Sequence, residues 1–339
     1  MGKKNRVIGY DYLRIIAIFM VVVIHGNVAF IANSNSTSRM IAMEIGAFCL
    51  ISVPCFLMIS GSLLLESESE FPLQELKRRF AKQAIPFLVW SCLYVFARVL
   101  LKKIPLNAQA FTSLLYEPAY YQFWFMYTLL AIYLLLPILS SLVHHISQKV
   151  YRYLLAIWLV FCVLQPTLEH VWSAFRLSGH IDLVLCEGYL GYFLLGYYLK
   201  RYGAGIHKRK AVFLFVSGCC ITGILSWGEY FFSGTGFQGF FYRNYLTPGV
   251  VLAAIGAFTF FQNGAYRCSS LVTILSNISI GVFYVHMLVM TAFEYIGFSG
   301  ADNLFICELK SIFVYGVSVV ISYCISRIPV LRKILLGMC

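Results

Sequence analysis

Long apolar runs, separated by short polar and charged segments, dominate the chain. They fall near residues 8–31, 41–65, 84–101, 121–143, 151–167, 183–200, 211–232, 246–262, 271–294 and 305–327. A hydrocarbon layer about 30 Å thick is crossed by roughly 20 apolar residues of helix. The pattern therefore predicts an all-α, polytopic integral membrane protein of about ten transmembrane helices. It predicts one domain over residues 1–339, with spans within about 8–327 and no internal repeat. Pro54 is expected to kink the second run and Ser60-Gly61 to permit close helix packing. Pro72 to Ala84 is expected to form an interfacial helix ahead of the third run.

The first run departs from an ordinary span, because it carries Asp11, Arg14 and His25. At 100° per residue, Arg14 and His25 are separated by three turns plus about 20°, so they share a face, about 16 Å apart along the axis. Asp11 lies on that face one turn before Arg14, placed to orient its guanidinium. A lipid-facing Arg or Asp at mid-helix costs roughly 2.5–3.5 kcal/mol on insertion scales. This face is therefore expected to look onto a protein interior or a watery cleft, which is the candidate active site.

Basic residues give that helix a direction. Lys3, Lys4 and Arg6, then Lys77 to Lys82, Lys149 and Arg152, Lys200 to Lys210, Arg267, and Arg327 to Lys333 all fall on alternate loops, and together hold 18 of the 26 Lys and Arg. Six lie on the opposite side (Arg39, Lys102, Lys103, Arg176, Arg243, Lys310), and Arg14 and Arg98 sit within runs. The positive-inside rule then places both termini in the cytoplasm, with Arg14 near that boundary and His25 past the midplane.

Composition supports the class: 60% hydrophobic and 12% charged residues, with a mean hydropathy of +0.79, exclude an ordinary soluble domain. The formal charge of +12 reports topology and contact with membrane lipids, and no nucleic-acid partner is expected. Eleven cysteines show neither a CxxC pair nor zinc-like spacing, so no metal site is expected. Cys49, Cys92, Cys162 and Cys219 read as small buried hydrophobes. Asp11 and Arg14 interrupt any signal-peptide core, so the first helix is expected to stay attached.

Other polar groups admit two readings each. Arg78, Arg79 and Lys82 either mark topology and touch anionic lipid or bind a phosphorylated cytosolic ligand. The cluster Tyr121 to Tyr127 reads as an interfacial aromatic belt. The loop from Pro166 to Asp182, with Glu169, His170, Trp172, Arg176 and His180, is either solvated or a sugar contact. Asp182 and Glu187 open the sixth run. His286, inside the ninth, is either a packed or a functional imidazole. His144-His145 reads as a solvated loop pair.

With these residues in view, the chain resembles the acyltransferase 3 family of bacterial membrane proteins. Arg14-x10-His25 matches that family's first-span signature. The segments Val53 to Gly61, Phe123-Trp124-Phe125 with Tyr133 to Pro137, Tyr192 to Tyr197, and Ser279 to His286 follow in family order. In layout and length the chain is similar to the stand-alone branch that O-acetylates enterobacterial common antigen. The resemblance implies a multi-pass protein of the bacterial inner membrane. It implies transfer of an acyl group, usually acetyl from cytosolic acetyl-CoA, onto a hydroxyl of an envelope polysaccharide or lipid-linked glycan. Acetyl-CoA is then a donor substrate, and no bound cofactor is expected. The family's catalytic His corresponds to His25 and its Arg to Arg14. Its Arg-x-x-Arg element corresponds to Arg79-x-x-Lys82, where Lys82 lacks the guanidinium fork and Arg78 is placed to share its task.

Residue chemistry agrees with that expectation. A hydroxyl attacks a thioester when a base takes its proton and donors steady the oxyanion. His25 is the candidate base, with a covalent acyl-His relay as the alternative. Arg14, Arg78, Arg79 and Lys82 are candidates for the donor phosphates. Ser60, Trp124 and Tyr127 are candidate oxyanion donors. The rival class is a secondary transporter or flippase using the Asp11/Arg14/His25 face, and a non-enzymatic sensor is a third.

Overall fold

The computed structural model describes residues 6–33, 37–66, 73–101, 103–105, 107–172, 188–232, 239–298, 300 and 303–338. These residues are mainly helical, with no strand among them. The first half contains α1 (Ile8–Asn33), α2 (Thr37–Cys49), α3 (Ser52–Leu64), α4 (Leu73–Leu100), α5 (Ala108–Thr112), α6 (Trp124–His145) and α7 (Gln148–Trp158). The second half contains α8 (Gln165–Val171), α9 (Leu190–Tyr202), α10 (Lys208–Phe232), α11 (Phe240–Arg243), α12 (Pro248–Gln262), α13 (Ser270–Tyr295), α14 (Leu304–Arg327) and α15 (Pro329–Leu336). Among the described residues, eight segments are long and apolar enough to cross a membrane. The remaining two predicted runs correspond to the shorter α12 and to α9. The start of the α9 run, with Asp182 and Glu187, lies outside the described residues.

Prolines explain where the helices differ from the apolar pattern. The second run is two helices: α2 ends at Cys49, and Pro54 sits in the first turn of α3, where its missing amide costs little. The expected interfacial helix before the third run is not separate, because α4 continues through Pro86 for 28 residues. In the fifth run a π-helical stretch, Leu159–Leu164, joins α7 to α8 immediately before Pro166, which cannot donate a backbone hydrogen bond. His144 and His145 close α6 instead of lying in a loop. The His144 Nδ1–H donates to the Ser140 carbonyl (2.8 Å), and Nε2 accepts from the Tyr197 hydroxyl (3.0 Å).

α1 packs against α2, α3, α12, α13 and α14, which puts its polar face inside the bundle. α3 and α9 cross closely because Gly61 lies against the Phe193 carbonyl and Gly196 against the Met58 carbonyl, so a Cβ at either would collide with backbone. This is the close approach expected of Ser60-Gly61.

Segments assigned to one side of the membrane do meet at one end of the bundle. Arg6 bonds Asn277, the Tyr12 hydroxyl donates to the Arg267 carbonyl, Asn263 donates to the carbonyls of Gly203 and Ile206, and Lys200 pairs with Glu66 at 2.7 Å. Cys49 and Cys162 are buried as expected, whereas Cys92 faces outward from the bundle.

Candidate active site

A cavity of about 300 Å³ runs alongside α1, and Arg14 and His25 both line it. The shared face expected from helical spacing is therefore a wall of one cavity. α3 contributes Val53, Phe56 and Ser60, α6 contributes Trp124 and Tyr133, and α13 contributes Ser276, Asn277 and Ser279.

At the Arg14 end the charges are arranged differently from the expectation. Asp11 is 2% exposed, and its carboxylate accepts from Arg6 Nε (2.6 Å) and Nη2 (3.0 Å) and from the Ser276 hydroxyl (2.7 Å). Arg14 keeps a longer i,i+3 ion pair with it, at 3.9 Å, and lines the cavity, so Asp11 holds Arg6 and α13 more closely than it holds Arg14. On α4, Glu75 holds both Arg78 (2.6 Å) and Arg79 (2.7 Å). Gln83, one turn after Arg79, lines the cavity with Tyr133 and Arg14. Arg78 is 63% exposed and Lys82 is exposed too, and neither lines the cavity. Of the expected basic group, only Arg14 lines the cavity; Arg78, Arg79 and Lys82 do not.

The C-terminus closes this end. Trp90 Nε1 donates to the Leu335 carbonyl (2.9 Å), and Leu336 lines the cavity. Gly337, at φ 62°, lies on the Lys82 carbonyl, which has no intrahelical partner because Pro86 lacks the amide. Nothing in the hydropathy pattern marks this short helix as part of the site.

The His25 end is built from rings. His286 stacks on His25 with centroids 5.3 Å apart and planes at 25°, while Tyr121 meets His25 edge-on at 4.9 Å. His286 is fully buried; its Nδ1–H donates to the Val282 carbonyl (3.1 Å), leaving Nε2 with no hydrogen-bond partner. Charging both imidazoles at this distance would cost about 3 kcal/mol at an effective dielectric of 20.

Trp124 lines the cavity and packs against Tyr189 and Tyr245. Phe123 and Met126 are fully buried and belong to the core, while Tyr121 of the same cluster is 46% exposed. Tyr127 lies apart, its hydroxyl donating to the Leu114 carbonyl at 2.8 Å, which removes it as an oxyanion donor. Ser60 remains in the wall. Sequence reasoning missed Gln122, which also lines the cavity: it is 2% exposed, and neither its amide nitrogen nor its oxygen finds a hydrogen-bond partner. The neighbouring Tyr94 hydroxyl donates instead to the Tyr284 carbonyl (2.7 Å). A glutamine among seven aromatic and apolar neighbours was the available signal.

With this geometry in place, the family comparison decides the class. The family model described as an acyltransferase domain, acyltransferase 3, matches residues 7–328. The chain belongs to the acyltransferase 3 family. No curated protein and no solved structure matches it.

As a member of that family the chain carries a membrane acyltransferase domain, and the match spans every helix that builds the cavity except α15. His170 is not turned toward a ligand: Nε2 lies 3.1 Å from Glu229, whose carboxylate also accepts from the amides of Phe240 and Phe241. Arg176 and His180 lie outside the described residues. Among the described residues no group of three or more His, Cys, Asp or Glu side chains could hold a metal ion.

Proposed function

We propose that this acyltransferase is an O-acetyltransferase of the bacterial inner membrane. It moves acetyl from cytosolic acetyl-CoA onto a hydroxyl of an envelope polysaccharide or lipid-linked glycan. The observation that carries the reading is the placement of Arg14 and His25 on one cavity wall, in a chain of this family. Acetyl as the group and a glycan as the acceptor are what the sequence resemblance implies, and both belong to this proposal.

In this scheme the donor's phosphates stay at the Arg14 end, where Arg79 adds charge, while Arg78 and Lys82 attract the donor from the exposed surface of α4. The pantetheine arm carries the thioester along the cavity to His25. His25 takes the acceptor hydroxyl's proton as the oxygen attacks the thioester carbon. The carbonyl electrons move onto oxygen, and the Gln122 amide and Ser60 hydroxyl are the donors available in the wall to steady them. When the C–S bond breaks, the CoA thiolate leaves and takes the proton from the His25 imidazolium. His286 is a positioning residue that fixes the ring of His25 by stacking.

The test uses purified full-length protein, radiolabelled acetyl-CoA and an envelope glycan extract. CoA release coupled to labelled glycan supports the scheme, and its loss in a folded His25→Ala variant assigns the base. Wild-type turnover in that variant would remove His25 from the chemistry. Solute counterflow without acetyl transfer would favour the transport reading.

A further inference from the structure

Gln122 is buried in the cavity wall with both polar atoms of its carboxamide unpartnered. The turn that carries it, Tyr121–Phe123, is held on both sides. Tyr121 meets the His25 ring at 4.9 Å, and the fully buried Phe123 packs against Tyr94 at 4.9 Å and Phe87 at 5.7 Å. Gln122 therefore stands at the His25 end of the cavity, on a segment fixed by its neighbours.

The two polar atoms differ in what the protein can offer them. The polar group beside the carboxamide is the Tyr94 hydroxyl, whose proton goes to the Tyr284 carbonyl at 2.7 Å. That hydroxyl keeps a lone pair for the Gln122 amide but has no proton for the Gln122 oxygen. The oxygen can only accept, and a buried acceptor is costly until something supplies an N–H or O–H.

We infer that the Gln122 oxygen is the subsite for the amide N–H that an acyl-pantetheine donor carries nearest its thioester. The inference rests on the acetyl-transfer reading, in which the thioester lies at His25. In such a donor only an ethylene link separates that N–H from the sulfur, so a thioester at His25 brings the N–H to the same end of the cavity as Gln122. The N–H arrives in need of an acceptor. Val21, Phe56, Phe125, Leu129 and Phe283 make much of the wall apolar, and their own carbonyls are engaged within α1, α3, α6 and α13. The Gln122 oxygen and the donor N–H are thus each the partner that the other lacks. Their contact holds the arm beside the reacting carbon and leaves an amide hydrogen of Gln122 for the developing oxyanion.

The experiment compares acetyl-CoA with an analogue in which oxygen replaces that N–H, so that the amide becomes an ester. Both are given to purified full-length wild type, Gln122→Met and Gln122→Glu. Affinity is read from the rise of the thermal unfolding midpoint with donor concentration, which needs no acceptor, and turnover from CoA release with an envelope glycan extract. Wild type should bind acetyl-CoA about tenfold more tightly than the ester analogue. Gln122→Met, similar in size but without the accepting oxygen, should lose that preference, and Gln122→Glu, which keeps such an oxygen, should retain it. The KM for the glycan should move little in either variant. Equal affinity of wild type for the two donors, or none for both, overturns the inference whatever the variants do, and so does a preference that survives Gln122→Met. A glycan KM raised in Gln122→Met with the donor preference intact assigns the oxygen to the acceptor and also overturns it. If the donor preference behaves as expected but wild type releases no CoA with any glycan, the subsite stands and the acetyl-transfer reading falls.

Discussion

The two ends of the Arg14–His25 cavity are built on opposite principles. Around Arg14 the contacts are charged and adjustable: Glu75 clamps two arginines, Asp11 is shared by Arg6 and Ser276, and Arg78 reaches solvent. Around His25 the contacts are rigid, with His286 stacked, Tyr121 edge-on and Trp124 wedged between tyrosines. Long charged side chains tolerate displacement, which suits capture of a diffusing polyanion. Ring stacks do not, which suits a step whose rate depends on placement within a fraction of an ångström. The difference matches the proposed scheme, in which binding and chemistry occupy separate stretches of one helix, so substitutions at the two ends should separate KM from kcat.

The largest test of that contrast is His25→Ala. Its kcat should fall by about 10²–10⁴-fold with the acetyl-CoA KM little changed, measured as CoA release at saturating donor. Arg14→Ala should do the reverse, raising the acetyl-CoA KM by roughly 10- to 100-fold for loss of a charge-assisted contact, with kcat retained at saturation. Equal losses of kcat in both variants would erase the division.

Smaller effects sharpen it. His286→Ala should lower kcat roughly tenfold by freeing the His25 ring, and His286→Phe should restore most of that because stacking, not proton transfer, is its task. No difference between the two variants would argue against a packing role. Gly337→Ala should destabilise the docked α15 by about 1–3 kcal/mol, because a Cβ would meet both a left-handed backbone and the Lys82 carbonyl. Differential scanning in detergent reads this directly. Smallest is Glu75→Gln: removing the carboxylate that competes for Arg78 and Arg79 should lower the acetyl-CoA KM by up to about fivefold at low salt, the range of an exposed ion pair. The gain should vanish at high salt.

Much of this was legible before any coordinates. Helical period and the cost of lipid-facing charge put Arg14 and His25 on one enclosed face, and the cavity confirms the placement. Pro54 and Pro86 were equally visible, yet one begins a helix and the other lies within one. Their effect depends on where the surrounding helix starts and ends, which the packing of distant segments decides. Tyr127 and Gln122 show the same boundary from the other side: both lie beside Trp124, but only Gln122 lines the cavity.

The sequence by itself determined the class of protein, the approximate extent of its helices and the face on which the reactive residues stand. These follow from local periodicity and from the free energy of burying charge in lipid. Only the tertiary structure decided which partner each charge took and that α15 contributes to the cavity wall. Those pairings join residues tens to hundreds of positions apart, and helical period carries no information about which faces of distant helices meet.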